Sequence, residues 1–405
     1  MAHRAPHLYD SLRRYCLAAF AVERGAELPF AFEEHATREG PSLYEYRPLV
    51  RGFIDDQAPT LRRLPDTRNA IDDLRREPAA AIFAKGHTGG LSADADDALF
   101  RSILLPMLSA VAERCGGFDW EDDAFDHAYA DIETALFGTN RSYAAIAPLI
   151  GLQAGSPVEL GGDIRIRHVV AGEVSTLWPE ARGLMPAEFG RDVDRLCILE
   201  LTRELDSHDA EPPDAAGELA DAVTALRLAT AGAIAAGPVV FERLDFRPLR
   251  ISPLLPIAAT EPRGESIRLD SLRGRLAADL RSRLTIADGD RGLGEALDRW
   301  ELSLFAEEPF RSSQLADALT SLLGNDDGRW AASLRGAVLL GEKTAERADL
   351  LQRLRAEHLD KVARDAIRRA LVETLLHGNR VELVQALDET LLGVRPRPAA
   401  ASIAA

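Results

Sequence analysis

From about residue 266 to residue 392 the chain reads as helix almost without relief, and this stretch constrains the fold more than any other. Leu293, Ala296 or Leu297, Trp300 and Leu304 make one apolar stripe over 291–307, and Leu315, Leu319 and Leu322 make another over 311–323. Three or four further helical segments fit within 330–392. Helices of this length joined by short loops pack as a bundle. Inside the stretch, Leu334 to Asn379 is rich in arginine and stops at His377-Gly378, where glycine ends a helix.

The preceding chain is organised differently. Leu8, Leu12, Tyr15 or Cys16, Ala19 and Phe20 predict a helix over 8–24 with one buried stripe. Pro29, Pro41, Pro48 and Pro59 then break residues 25–62 into irregular connecting chain, with Phe30, Phe32, Tyr44 and Tyr46 as packing anchors. Helices are expected over 64–84, 94–115 and 119–137, the last with acidic residues in its first turn and Gly138 as its stop. Lys85-Gly-His-Thr-Gly-Gly90 lacks the spacing of a phosphate loop and reads as a flexible loop. Near residue 143 the period changes: Ile164, Ile166 and His168 alternate after the Gly161-Gly162 turn, as in a half-buried strand. Residues 195–204 and 239–251 are further strand candidates, with Pro248 placing the end of the second at a sheet edge. A helix is expected over 214–232. The fold class is therefore mainly α. It comprises an N-terminal, mostly helical region (1–142), a small α+β module (143–265), a helical bundle (266–392) and a disordered Pro/Ala tail (393–405).

Composition narrows the functional classes. No run of about eighteen apolar residues occurs, so a membrane span is not expected and a cytoplasmic location is. Cys16, Cys115 and Cys197 stand in no paired spacing, which argues against a disulfide framework or a cysteine metal site. A net charge of −17 confines any nucleic-acid contact to a local patch. His127 and Asp131, beside Asp123 and Asp126, read as a solvated acidic face rather than a metal site. Asp288 to Gly294 lacks the twelfth-position glutamate of a calcium loop. No cofactor and no metal are expected. Abundant Ala, Arg, Asp and Leu with few Lys suits a GC-rich bacterial genome.

One ordered series of segments carries a family resemblance. A strand unit P-L-x-G…P-V-E-L-G-x-x-I-R-I-R is followed by Leu199-Glu-Leu201. Next come Glu295-Ala-Leu-Asp-Arg-Trp300, the helix Leu315–Leu323, then Leu334-Arg-Gly-Ala-Val-Leu-Leu-Gly341 and finally Leu376-His377-Gly378. In this order, over about 143–392, the chain resembles bacterial proteins that end in an Apea-like HEPN domain. The resemblance implies a C-terminal HEPN-like helical bundle that forms a homodimer. It implies an arginine and a histidine at a shared cleft that cleave RNA without metal, in phage defence or as a toxin. Histidine can exchange a proton near neutral pH and arginine can hold a phosphate. On this reading His377 is the acid/base. Arg369, then Arg368 and Arg364, are its phosphate partners, and Arg353, Arg355 and Lys361 add RNA contacts.

The family spacing is an arginine, four to six residues, then histidine. Counting back from His377, those arginine positions hold Val372, Leu371 and Ala370, so Arg369 and Arg368 fall just outside. On a straight helix, residues eight apart lie about 80° around and about 12 Å along the axis. Arg353-Leu-Arg-Ala-Glu-His358 keeps the strict spacing but follows the LRGAVLLG helix too soon. His377 also suits a helix C-terminus as a cation on the dipole, and Arg364, Arg368 and Arg369 suit a solvated face paired with Asp360, Asp365 and Glu373. The alternative expectation is thus a catalytically silent HEPN-like dimerisation scaffold whose N-terminal part binds a partner.

Overall fold

The computed structural model describes residues 4–35, 43–88, 94–138, 140–169, 174, 177–178, 181–184, 197–206, 212–245, 247–262, 266–324 and 327–398. The protein is mainly α, with an α+β module between two helical regions.

The first helix, α1 (Pro6–Glu23), starts on a proline, which needs no N–H partner there, and buries Leu8, Leu12, Tyr15, Cys16, Ala19 and Phe20. The expectation of irregular chain over 25–62 is corrected. Strands β1 (Phe30–His35) and β2 (Leu43–Pro48) pair antiparallel with Phe32 opposite Tyr46, and α2 (Val50–Leu61) follows. The prolines misled because Pro29 and Pro48 sit at strand ends and Pro59 near the end of α2. Phe30 is largely exposed and so is no packing anchor, while the side chains of Phe32, Tyr44 and Tyr46 lie outside the described set.

Proline also splits the region expected as one helix over 64–84 into α3 (Pro65–Arg75) and α4 (Pro78–Thr88). Lys85 to Thr88, expected in a flexible loop, finish α4, and Gly89-Gly90 fall outside the described residues. The next helix is composite: α5 (Ala95–Leu99), a π-turn (Phe100–Leu104) and α6 (Leu105–Cys115). Then α7 (Asp122–Phe137) ends at Gly138. Leu12, Ile54, Leu74, Leu108 and Phe125 are among the residues of one apolar core, which ends at Leu136 with Phe137 packed on it.

Burial pushes the Glu113 carboxyl of α6 from 4.5 up to about 7, with Arg51 only partly opposing it. The folded state then keeps this proton up to about pH 7, whereas the unfolded chain releases it near 4.5. Stability is therefore lost as pH rises through that window, by about 2 to 3 kcal/mol. Urea midpoints of wild type and Glu113→Gln are expected to diverge by this amount between pH 4.5 and 8, the variant falling less. Parallel pH profiles would contradict this.

The middle module is a seven-stranded antiparallel sheet. Its strands are β3 (Asn140–Ile150), β5 (Val158–Glu159), β6 (Ile164–His168), β7 (Cys197–Asp206), β8 (Ala235–Ala236), β9 (Val239–Leu244) and β10 (Arg247–Pro253). They run β10-β9-β3-β7-β6-β5, with β8 also pairing β3. A parallel pair, β4 (Leu152–Ala154) with β11 (Ile267–Leu269), lies beside them. Ile164 and Ile166 are buried, as their alternation required, and Pro248 lies on the edge strand β10. The single strand candidate over 239–251 is in fact two strands, reversed at Asp245, whose φ is 56°.

After the short α8 (Ala181–Leu184) comes α9 (Ala215–Thr230), which packs on the sheet through Leu219, Val223 and Leu226. Its Ala225 and Leu228 instead enter the core of the bundle. The bundle comprises α10 (Ser271–Arg281), α11 (Thr285–Gly289), α12 (Arg291–Phe305), α13 (Phe310–Leu323), α14 (Gly328–Leu340), α15 (Thr344–Arg355), α16 (Lys361–His377) and α17 (Arg380–Leu391). Sheet and bundle thus share α9. The stripe residues Leu293, Ala296, Leu297, Trp300, Leu315, Leu319 and Leu322 are all buried. Beyond α17, the tail is held as far as Arg397, whose Nη1 donates to the carbonyl of Gly341 at 2.8 Å.

Candidate functional site

The arginine-rich stretch from Leu334 to Asn379 runs through three helices, α14, α15 and α16, in keeping with the several segments expected within 330–392. Asp360 caps α16 by accepting from the Ala363 amide, and Gly378, at φ 84°, takes the left-handed conformation that ends it after His377. Between these caps α16 is an unbroken α-helix, so no bend carries Arg364, Arg368 or Arg369 back to His377. His377 is exposed, and its Nδ1 lies 3.1 Å from the carbonyl oxygen of Asn379.

The three arginines of α16 differ in what they touch. Arg369 is exposed. Arg368 is not: its Nη1 donates to the carbonyl of Leu228 at 2.6 Å, and its Nε and Nη2 donate to Asp365 at 2.9 and 2.8 Å. Leu228 lies in the last turn of α9, where carbonyls lack helical donors, so Arg368 completes the end of a helix 140 residues away. Arg364 is half-buried, and its Nε is buried without a hydrogen bond.

The residues expected at RNA are equally divided. Arg353 is held between Asp349 at 2.8 Å and Asp360, and these two carboxylates raise its pKa. Arg355, His358 and Lys361 are exposed. Arg353, in the last turn of α15, and His358, in the linker to α16, keep the strict family spacing, but the arginine's donors point to the carboxylates.

Two arginines missed from sequence matter more. Arg283, between α10 and α11, donates to the carbonyl of Leu376 at 3.0 Å and so brings a guanidinium to the end of α16 that carries His377. Arg335 of the LRGAVLLG segment is buried. It donates to the carbonyls of Leu323 and Gly324 and to Asp327 and Asp388, the carboxylates at 2.6 to 3.0 Å. Beside it, a Cβ at Gly336 would meet Leu354 Cδ1 at 3.3 Å, which explains the Arg-Gly pair: a clamp next to a close helix crossing. Arg283 follows a helix end, but Arg335 lies in the middle of α14, and the carbonyls that both reach are backbone atoms, which sequence does not mark.

The acidic residues near His127 are also structural. Asp126 accepts from the Tyr9 hydroxyl at 2.6 Å and Asp131 pairs with Arg114 at 2.7 Å. Among the described residues no group of three or more His, Cys, Asp or Glu is placed to hold a metal ion. Asp290, in the segment weighed as a calcium loop, caps α12 by accepting from the amides of Gly292 and Leu293, and it pairs with Arg380 at 2.9 Å. All three cysteines are free thiols. No described helix is long and apolar enough to cross a membrane. Comparison with known protein families, with curated proteins and with solved structures found no match.

Proposed function

We propose that the chain is a HEPN-like cytosolic protein whose C-terminal bundle is a catalytically silent scaffold, pairing two copies and presenting the N-terminal region to a protein partner. The observation that carries this reading is the fate of the arginines. Arg368, Arg353 and Arg335 spend donors on carbonyls and carboxylates of their own chain, and His377 bonds to backbone. A phosphate would have to displace those bonds. Phe310, Trp330, Val362 and Val381 of the bundle, 71%, 55%, 49% and 59% exposed, are the apolar side chains a second copy would cover on this reading.

One observation favours a second reading, a metal-independent endoribonuclease of defence or toxin type. Arg283 reaches the His377 end of α16, so the cation for a phosphate comes from a separate element. Incubating the protein with total RNA in EDTA, beside His377→Ala, His358→Ala and Arg283→Ala, separates the two. The scaffold reading expects no cleavage by any of the four. Cleavage by wild type that His377→Ala and Arg283→Ala abolish would replace it with the nuclease. Loss in His358→Ala alone would move the site to the α15–α16 linker.

A further inference from the structure

The joint between the N-terminal helices and the sheet is built around one arginine and one proline. In the π-turn the Leu105 amide donates to the carbonyl of Phe100, five residues back, instead of to Arg101. The next residue, Pro106, has no N–H, so the carbonyl of Ser102 loses its α-helical donor and that of Arg101 gains no replacement. Buried carbonyls left so are costly. Arg247 of the edge strand β10, 7% exposed, supplies both: its Nη1 donates to Ser102 and its Nη2 to Arg101, the latter at 2.8 Å. Arg51 Nη1 adds a bond to the carbonyl of Leu177 at 3.3 Å, and the Arg141 guanidinium lies 5.2 Å from the Phe83 ring centre. The described apolar cores do not cross this joint: one ends at Phe137 and the next begins at Tyr143.

We infer that residues 5–137 are a separable unit latched to the sheet by Arg247 in the π-turn, and that releasing this latch lets the unit swing about the chain around Gly138. Charge makes the latch releasable. Burial lowers the Arg247 pKa; nearby Arg51 and Arg141 push the same way, and Asp55 and Asp245 oppose them. Buried charge of this kind is favoured by water entry, whereas an apolar joint would resist it.

The test compares wild type with Arg247→Met, which keeps the stem and removes the donors, and with Pro106→Ala, which restores a backbone donor for Ser102 and leaves Arg247 in place. Both variants are expected to keep the wild-type circular dichroism and to show a larger radius of gyration in X-ray scattering; protease is expected to cut near Gly138 at least tenfold faster in Arg247→Met and severalfold faster in Pro106→Ala, where the Arg101 carbonyl still holds Arg247. Cleavage within twofold of wild type in a folded variant overturns the proposal. Should Arg247→Met fail to fold, Pro106→Ala decides alone. Hydrogen exchange of the wild type gives an independent reading: amides of Leu108 and Leu199 are expected to open with different denaturant dependence. A single shared unfolding curve for both overturns separability.

Discussion

Replacing Arg227 with methionine is expected to lower the stability of the chain by about 3 to 5 kcal/mol, the usual cost of removing one partner from a buried ion pair. Arg227 is fully buried on α9. It donates to Glu301 of α12 at 3.0 Å and to the carbonyls of Ile234 and Ile257 at 2.7 and 2.9 Å, with its guanidinium 4.9 Å from the Phe305 ring centre. Glu301, equally buried, also accepts from Thr224 at 2.7 Å. The substitution leaves a buried carboxylate without its charge partner, with only the Thr224 hydroxyl donating to it, and two carbonyls without their donors. Removing both charges in Arg227→Met/Glu301→Met is expected to recover part of the loss, the uncompensated carboxylate being gone. The two carbonyls still cost about 1 to 3 kcal/mol each, so recovery stays incomplete. Urea unfolding of the three proteins measures this. A loss below about 1 kcal/mol in the single variant would mean that the pair does not hold sheet and bundle together.

The same habit recurs along the chain, with arginine donors filling carbonyls at helix ends. Arg335 does so at the end of α13, Arg283 at the end of α16, Arg368 at the end of α9 and Arg329 at Ala356 after α15. Helix C-termini leave orphan carbonyls and a partial negative charge, and guanidinium answers both at once. This use accounts for Arg283, Arg329, Arg335 and Arg368, whereas Arg355, Lys361 and Arg369 are exposed.

Much of the scaffold was legible because periodicity reports burial directly. The stripes of α12 and α13, the alternation of Ile164 and Ile166 and the stop at Gly378 each follow from side-chain geometry within one element. Residues 30–61 were not legible, since proline at strand ends and near a helix end looks the same in sequence as proline in a loop. The site was less legible still. Spacing placed Arg368 and His377 on one helix, but the acceptor of Arg368 is the backbone of Leu228, and the guanidinium at the His377 end comes from Arg283. Neither contact has a sequence signal, because the acceptors are the carbonyls of Leu228 and Leu376 and any residue supplies a carbonyl.

The central claim is that α16 is a structural strut, its arginines divided by what they touch rather than held in reserve for a phosphate. Arg368→Ala should therefore cost about 2 to 3 kcal/mol, since it strips a charged donor from the end of α9 and leaves Asp365 without its partner. Arg369→Ala, on the exposed face of the same helix, should stay within about 0.5 kcal/mol of wild type. Urea midpoints of the two variants beside wild type give the most direct reading. A large loss for Arg368 with none for Arg369 is the predicted result. Equal, small effects for both would contradict it and leave Arg368 available for phosphate.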